Sequence, residues 1–309
     1  MSATTPALTP SFARPASRVA IRRASSYDID LLSILSETLR EFDLPVRGKS
    51  VLLKVNFVGH DPLGAINTHP AVVVAAREAF LSLGAATVTI ADGPALERDI
   101  EAIADSMRLR DFIGPLSPSF VDLNTDDVRP VSLQTRASTL KKLYLPARVL
   151  GADLVVSMPK MKTHHWAGVT LSLKNMFGVV PGSCYGWPKN ILHWAGISRS
   201  ILDINSAVRP HFAIVDGIIG MEGNGPTQGT PKPCGLVILG DDPVAVDATC
   251  ARIMGLAPER IDYLQRAGLL LGHLQAPKIL QLGEKVETLT TPYVVLDEFR
   301  HLSIRLKGN

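Results

Sequence analysis

Residues 50–94 read SVLLKVNFVGHDPLGAINTHPAVVVAAREAFLSLGAATVTIADGP, and this stretch decides the fold. The run at 50–56 is continuously apolar up to its polar end, as in a strand covered on both faces. Pro70 suits the first position of a helix; Val73, Ala76, Phe80 and Leu83 then share one stripe, and Gly84 ends it. A β-branched strand follows at 87–91, and Asp92-Gly93-Pro94 closes it. Strand, helix and strand in this order form a βαβ unit, which implies parallel strands.

The same alternation continues on both sides. Further strands are expected at 18–21, 119–123, 153–157, 211–215 and 235–239. Further helices are expected at 27–42, 99–112, 190–207, 245–254 and 258–270. The fold class is therefore α/β, with a mainly parallel sheet, helices on both faces and a ligand cleft at the strand carboxyl ends. Residues 1–17, rich in Ser, Thr, Pro and Ala, are expected to form a disordered tail. Residues 18–275 then make one catalytic or binding domain, and 276–309 add C-terminal strands packed on the core.

Composition narrows the function classes. Lys and Arg total 32 against 29 Asp and Glu, interspersed, so no basic stripe exists for a nucleic-acid backbone. Three widely spaced cysteines without a CxxC give no disulfide framework, zinc knuckle or cysteine-ligated iron–sulfur cluster. No apolar run approaches the roughly 18 residues of a membrane span, and the N-terminus lacks a secretory apolar centre. A cytoplasmic protein without membrane or nucleic-acid partners is expected. Its ligand is expected to be a small anion, and a homodimer is the default assembly.

Ligands of doubly wound sheets sit where strands end, so the residues there are the candidates. The densest cluster is PKMKTHHWAGVTLSLKNMFGVVPG at 159–182. Lys160, Lys162, His164, His165 and Lys174 put five potentially cationic groups within fifteen positions, a crowding that an anion or metal would relieve. His193 follows, and imidazoles on two sides of a substrate can remove a proton from one face and return one to the other. Lys54, Asn56, Asp92 and Asn175 join the same rim as ligand contacts.

Other loops carry open alternatives. Thr68 or His69 starts the Pro70 helix, either as a plain cap or as an anion contact at free N–H groups. Asp216, Gly223 and Gly225 lie in a glycine-rich loop that matches no nucleotide fingerprint. Asp216 and Glu222 are suited to a hydroxyl, an ammonium or a hard cation, or to capping loop amides. A metal held by His164, His165 and Glu222 is one reading. Asp247, in GDDPVAVDATCARIMG, is read as orienting a neighbouring loop. Cys184 has no histidine placed to activate it as a nucleophile.

These residues also carry a resemblance. KVNFV, NTHPAVV, LGAATVTIADGPA, ADLVVSMPKMKTH, GVTLSLKNMFGVVPG, IVDGIIGMEGNGPTQG and LGDDPVAVDATCARIMGL together resemble the domain of unknown function 362 family, over roughly 48–272. Many of its members carry an added iron–sulfur module, for which this chain lacks the cysteines. A more distant similarity is to the catalytic domain of nickel-pincer lactate racemase. His164, Ala167, Gly168, Thr170, Lys174 and Pro181-Gly182 follow its spacing. That similarity implies a catalytic or cofactor-facing His164, a Lys174 that anchors cofactor or substrate, and His193 as a second histidine. Thr68-His69-Pro70 is similar to its Thr-Arg-Pro phosphate turn with His in place of Arg. Leu171-Ser172 replaces its glycine pair, and the histidine of its Asp-Gly-Pro loop is missing.

The resulting expectation is an enzyme, isomerase-like or oxidoreductase, acting on a small carboxylate or phosphate compound. A divalent metal or a nucleotide-type organic cofactor is left open. The alternative is a non-catalytic protein carrying a metal, nucleotide or redox cofactor to a partner.

Overall fold

The computed structural model describes residues 16–96, 99–113 and 120–304. Its strands are β1 (Ser17–Arg23), β2 (Ser50–Lys54), β3 (Thr87–Asp92), β4 (Phe120–Asp122), β5 (Val128–Ser132), β6 (Lys142–Pro146), β7 (Leu154–Ser157), β8 (Lys160–His164), β9 (Gly168–Thr170), β10 (Phe212–Glu222), β11 (Thr230–Gly240) and β12 (Ile279–Gly283). The main sheet runs β12-β1-β11-β10-β7-β2-β3-β4, with β8 beside β10 and β9 beside β8. Pairing is parallel from β10 through β4 and between β1 and β12. It is antiparallel where β11 lies between β1 and β10, and between β8 and β9.

Side-chain alternation divides the interior in two. Leu52, Val155, Ala213 and Val215 face one core, shared with the helices Ile197–Val208, Pro243–Ile253 and Asp262–Leu270. Val51, Leu53, Leu154, Val156 and Ile214 face the other, shared with Leu31–Arg40, Pro70–Ser82 and Ile100–Ser106. The mainly parallel α/β sheet with helices on both faces is therefore present. Among the described residues no helix is long and apolar enough to cross a membrane.

Several expectations change in detail. The strand expected at 119–123 starts at Phe120, and Ser119 lies outside the described residues. The helix expected at 190–207 breaks into Asn190–Trp194 and Ile197–Val208, because Gly196 takes φ 93° between them. That expected at 99–112 breaks into Ile100–Ser106 and Leu109–Ile113 around Arg108. The hairpin of β5 and β6 was not foreseen. Residues 1–15 of the expected tail lie outside the described residues, but Ser17 already belongs to β1, where its Oγ donates to Asp242 at 2.6 Å. Among the described residues the C-terminal segment supplies one strand, β12, and otherwise 3-10 turns rather than several strands.

The ends of β2 and β3 are joined by a buried ion pair, Lys54 Nζ to Asp92 Oδ1 at 2.7 Å. Breaking such a pair leaves one charge buried and unpaired, a loss of about 3–5 kcal/mol. Lys54→Met is expected to destabilise the protein by about that much, measured as a lower urea midpoint at unchanged slope.

Candidate active site

Polar side chains at the carboxyl ends of β2, β3, β7 and β8 fall into two groups. The first group is saturated by the protein itself. Lys54 Nζ also donates to Val55 O at 2.6 Å and Asn175 Oδ1 at 3.0 Å, so its three N–H bonds are all used. Asn175 returns Nδ2 to Lys54 O and to Ser157 Oγ. Asp92 accepts from Phe57 N at 2.6 Å and Gly93 N at 2.7 Å. Gly178 packs directly on this pair; a Cβ there would lie 2.4 Å from Asp92 Oδ1 and 2.5 Å from Lys54 Cε.

A second buried pair, Lys160 Nζ to Asp216 Oδ2 at 2.8 Å, sits beneath the amino end of the Pro70 helix. Tyr27 OH accepts from Lys160 at 2.8 Å and donates to Asp216 Oδ1 at 3.0 Å. His69 N donates to Asp216 Oδ2 at 3.0 Å, so the helix amino end already faces a carboxylate. His69, not Thr68, caps the helix: its Nδ1 accepts from Ala71 N at 3.2 Å, and its ring stacks on Tyr27 at 3.7 Å. Thr68 Oγ1 accepts from Asn56 N and donates to Met158 O. Of the two alternatives for this turn, the capping role is the one His69 fills, Thr68 is bonded within the protein, and Asp216 serves an ammonium of its own chain.

The second group keeps open valences. β8 alternates so that Lys160, Lys162 and His164 share one face while Met161 enters the core. Lys162 is 1% exposed, donates to Ile66 O at 2.6 Å and forms no salt bridge among the described residues. Lys174 has no hydrogen bond among the described residues; its Nζ lies 3.9 Å from the centre of the Phe177 ring. Lys189, which is not among the residues expected from the sequence, is 2% exposed, donates to Gly93 O at 2.6 Å and likewise forms no salt bridge among the described residues. It lies four residues before His193 and takes a left-handed φ of 65°, which the sequence does not signal.

Imidazoles complete the cluster. The His164 and His165 rings lie 4.9 Å apart, and Trp166 stands 4.5 Å from His165 and 5.1 Å from His193. Phe177, which touches Lys174, is 6.0 Å from His193. His164 Nδ1 accepts from Trp166 N at 3.0 Å, so the neutral ring carries its proton on Nε2. His165 Nδ1 meets the Gly225 carbonyl at 2.8 Å, which only accepts, so Nδ1 holds the proton and Nε2 offers a lone pair. Gly225 is tied to this role, since a Cβ there would lie 2.2 Å from Thr163 O. His193 Nδ1 and Asn56 Oδ1 are buried without partners among the described residues.

Asp247 works from behind. Its oxygens accept from Ser172 N at 2.7 Å and Leu173 N at 3.0 Å, capping the short helix Ser172–Asn175 that presents Lys174. This agrees with its reading as a loop-orienting residue. Glu222, grouped with the histidines for a metal, instead pairs with Lys232 at 3.0 Å and accepts from Val294 N. No three His, Cys, Asp or Glu side chains among the described residues converge as metal ligands, so this donor set does not fit a protein-held divalent ion. Gly223 meanwhile supplies a φ of 81° at the turn after β10.

Residues 51–252 match the model of the family described as a domain of unknown function, DUF362. The chain belongs to the DUF362 family. This DUF362 protein is 29% identical over 270 residues to a thylakoid-associated protein of Synechocystis sp., which spans 81% of this chain and 79% of that relative. Among solved structures, the lactate racemase apoprotein from Thermoanaerobacterium thermosaccharolyticum aligns at 16% identity and a TM-score of 0.42, over 67% of this chain and 51% of its own. A protein from Thermotoga maritima aligns at 13% identity and 0.39, over 68% and 55%. The DUF362 chain spans about half the length of these two structures.

Crowding of cations shows in their acidities. Burial, and then the neighbouring Lys160, lowers Lys162 to about 7; burial and Lys54 lower Lys174 to about 7. Burial likewise lowers Lys189 to about 7. Burial, then Lys174, lowers His164 to about 2, which keeps it neutral, and the same two causes lower His193. An unfolded lysine holds its proton up to about pH 10.4, so above pH 7 the unfolded chain binds more protons and stability rises with pH. Each such lysine adds up to about 1.4 kcal/mol per pH unit in that window. Urea unfolding is expected to show a rise between about pH 7 and 8.5 that is visibly flatter in Lys162→Met and Lys174→Met.

Proposed function

We propose that this DUF362 protein is an enzyme that binds a small carboxylate- or phosphate-bearing compound and moves a proton on it with its histidines. One observation carries the reading: Lys162 and Lys189 are buried, and Lys174 half-buried, without a carboxylate in salt-bridge contact among the described residues, next to three imidazoles. Buried charge without a counter-charge is costly, and a bound anion supplies it. Lys54, Lys160, Asp92, Asp216 and Asn175 hold the frame rather than the ligand.

His164 and His165 support opposite roles within the site. His164, neutral with Nε2–H, is a hydrogen-bond donor toward a developing oxyanion; His165, with a free Nε2 lone pair, is suited to general base. His193, on the other side of Trp166, is suited to return the proton. The free thiols Cys184, Cys234 and Cys250 support a reducing, cytoplasmic setting as part of this reading.

Inorganic phosphate or acetate is expected to raise the melting temperature in a saturable way, worth about 2.7 kcal/mol at a hundredfold excess over Kd. Lys162→Met and Lys189→Met are expected to remove that effect. Absence of any stabilisation by phosphate, sulfate or carboxylates would sink the reading. In D2O, lactate and related acids are expected to exchange the hydrogen next to the carboxylate, followed by NMR. His164→Ala is expected to abolish exchange while leaving the circular dichroism spectrum unchanged. Binding without exchange on any acid would instead favour the carrier function.

A further inference from the structure

Lys174 differs from every other lysine of the cluster. Lys54 fills its three N–H bonds internally, Lys160 is bound by Asp216 and Tyr27, and Lys162 and Lys189 each donate to a backbone carbonyl. Lys174 Nζ has only the face of Phe177, 3.9 Å away, and no polar acceptor among the described residues. Its backbone is held rigidly, since Asp247 caps the helix amino end and Asn175 is clamped to Lys54 and Ser157. A fixed amine with no hydrogen-bond acceptor, surrounded by cations and partly open to the rim, is in the state that makes a lysine nucleophilic.

We infer that Lys174 forms an imine with a 2-oxo acid bound in this site. The inference rests on the anion-binding reading above and names its substrate class. Lys162 and His164, on one face of β8, and Lys189, bound to the carbonyl of Gly93 against Gly178, are the donors available to its carboxylate. The balance is simple. The amine nitrogen attacks the carbonyl carbon, a C–N bond forms, and the oxygen takes a proton to give a carbinolamine. Nitrogen loses a proton, the hydroxyl takes a proton and leaves as water as the C–O bond breaks, and the nitrogen lone pair closes the C=N bond of a protonated imine. No oxidant or reductant is consumed. His193, whose buried Nδ1 has no partner among the described residues and whose ring shares Phe177 with Lys174, is placed to relay these protons.

Trapping tests this directly. The full-length protein is incubated with pyruvate and sodium borohydride, digested, and mapped by mass spectrometry. Lys174 is expected to be modified at least tenfold ahead of any other lysine, faster as pH rises through about 7, and acetate or phosphate is expected to slow the labelling. Lys174→Arg is expected to carry no label there, and His193→Ala to label more slowly. Label spread evenly over surface lysines, or none at Lys174 while phosphate still stabilises the protein, would overturn the imine and leave the anion site standing. No label together with no stabilisation by phosphate or acetate would overturn both.

Discussion

The buried ion pair between Lys54 and Asp92 is the interaction on which the rest of the site depends. At 2.7 Å it joins the ends of β2 and β3. Ion pairs of this kind gain little over apolar packing of the same volume, because both charges have left water. Their contribution here is positional. The ammonium also bonds Asn175, the pair lies against the backbone of Gly178, and Ser157 reaches both Asn175 and the carbonyl of Ser172. The segment from Ser172 to Gly178 is therefore laid across the sheet at one height, and Lys174 is carried with it.

That constraint sorts the charges of the rim. Each of the two innermost carboxylates, Asp92 and Asp216, is already paired with one ammonium and with backbone N–H groups. Three further lysines approach without a carboxylate of their own, so positive charge exceeds negative where the sheet opens. Burial is the largest cause of each lysine's lowered pKa, and neighbouring lysines add to it. A structural role explains the first set completely. It leaves the second set as an unexplained cost, which is why the functional reading rests there.

Much of this was legible in the sequence, and what was not has physical causes. The βαβ period at 50–94, the continuous apolar strands and the Pro70 start are local signals, and they hold. The gathering of His164, His165, His193 and Lys174 follows from where strands end in such a sheet. KMKTH at 160–164, however, is absent from the expected strands although its alternation is that of a strand. Its polar members on one face hid the pattern, since polar residues at a strand end look like a loop. Long-range pairing was invisible too. Nothing near Asp216 in the chain foretells Lys160 and Tyr27, and nothing near Glu222 foretells Lys232 and the Val294 amide. The internal partners of Thr68 and His69 lie equally far away. Lys189 depends on a single left-handed residue that no local propensity signals.

The excess of cations poses an apparent conflict. Anion binding favours protonated lysines, whereas imine chemistry requires a free amine. The geometry resolves it by giving the two tasks to different residues. Lys162 and Lys189 each donate to a backbone carbonyl, which holds the ammonium in place and leaves further N–H bonds to aim at a carboxylate. Lys174 faces an aromatic ring instead, which interacts with a cation but offers no acceptor on which a proton must stay. When an anion enters, it raises the pKa of all three, most strongly that of the groups that touch it. A carboxylate seated on Lys162 and Lys189 therefore takes up charge there, screens Lys174 from its neighbours, and leaves the amine that faces the carbonyl carbon as the one most easily deprotonated.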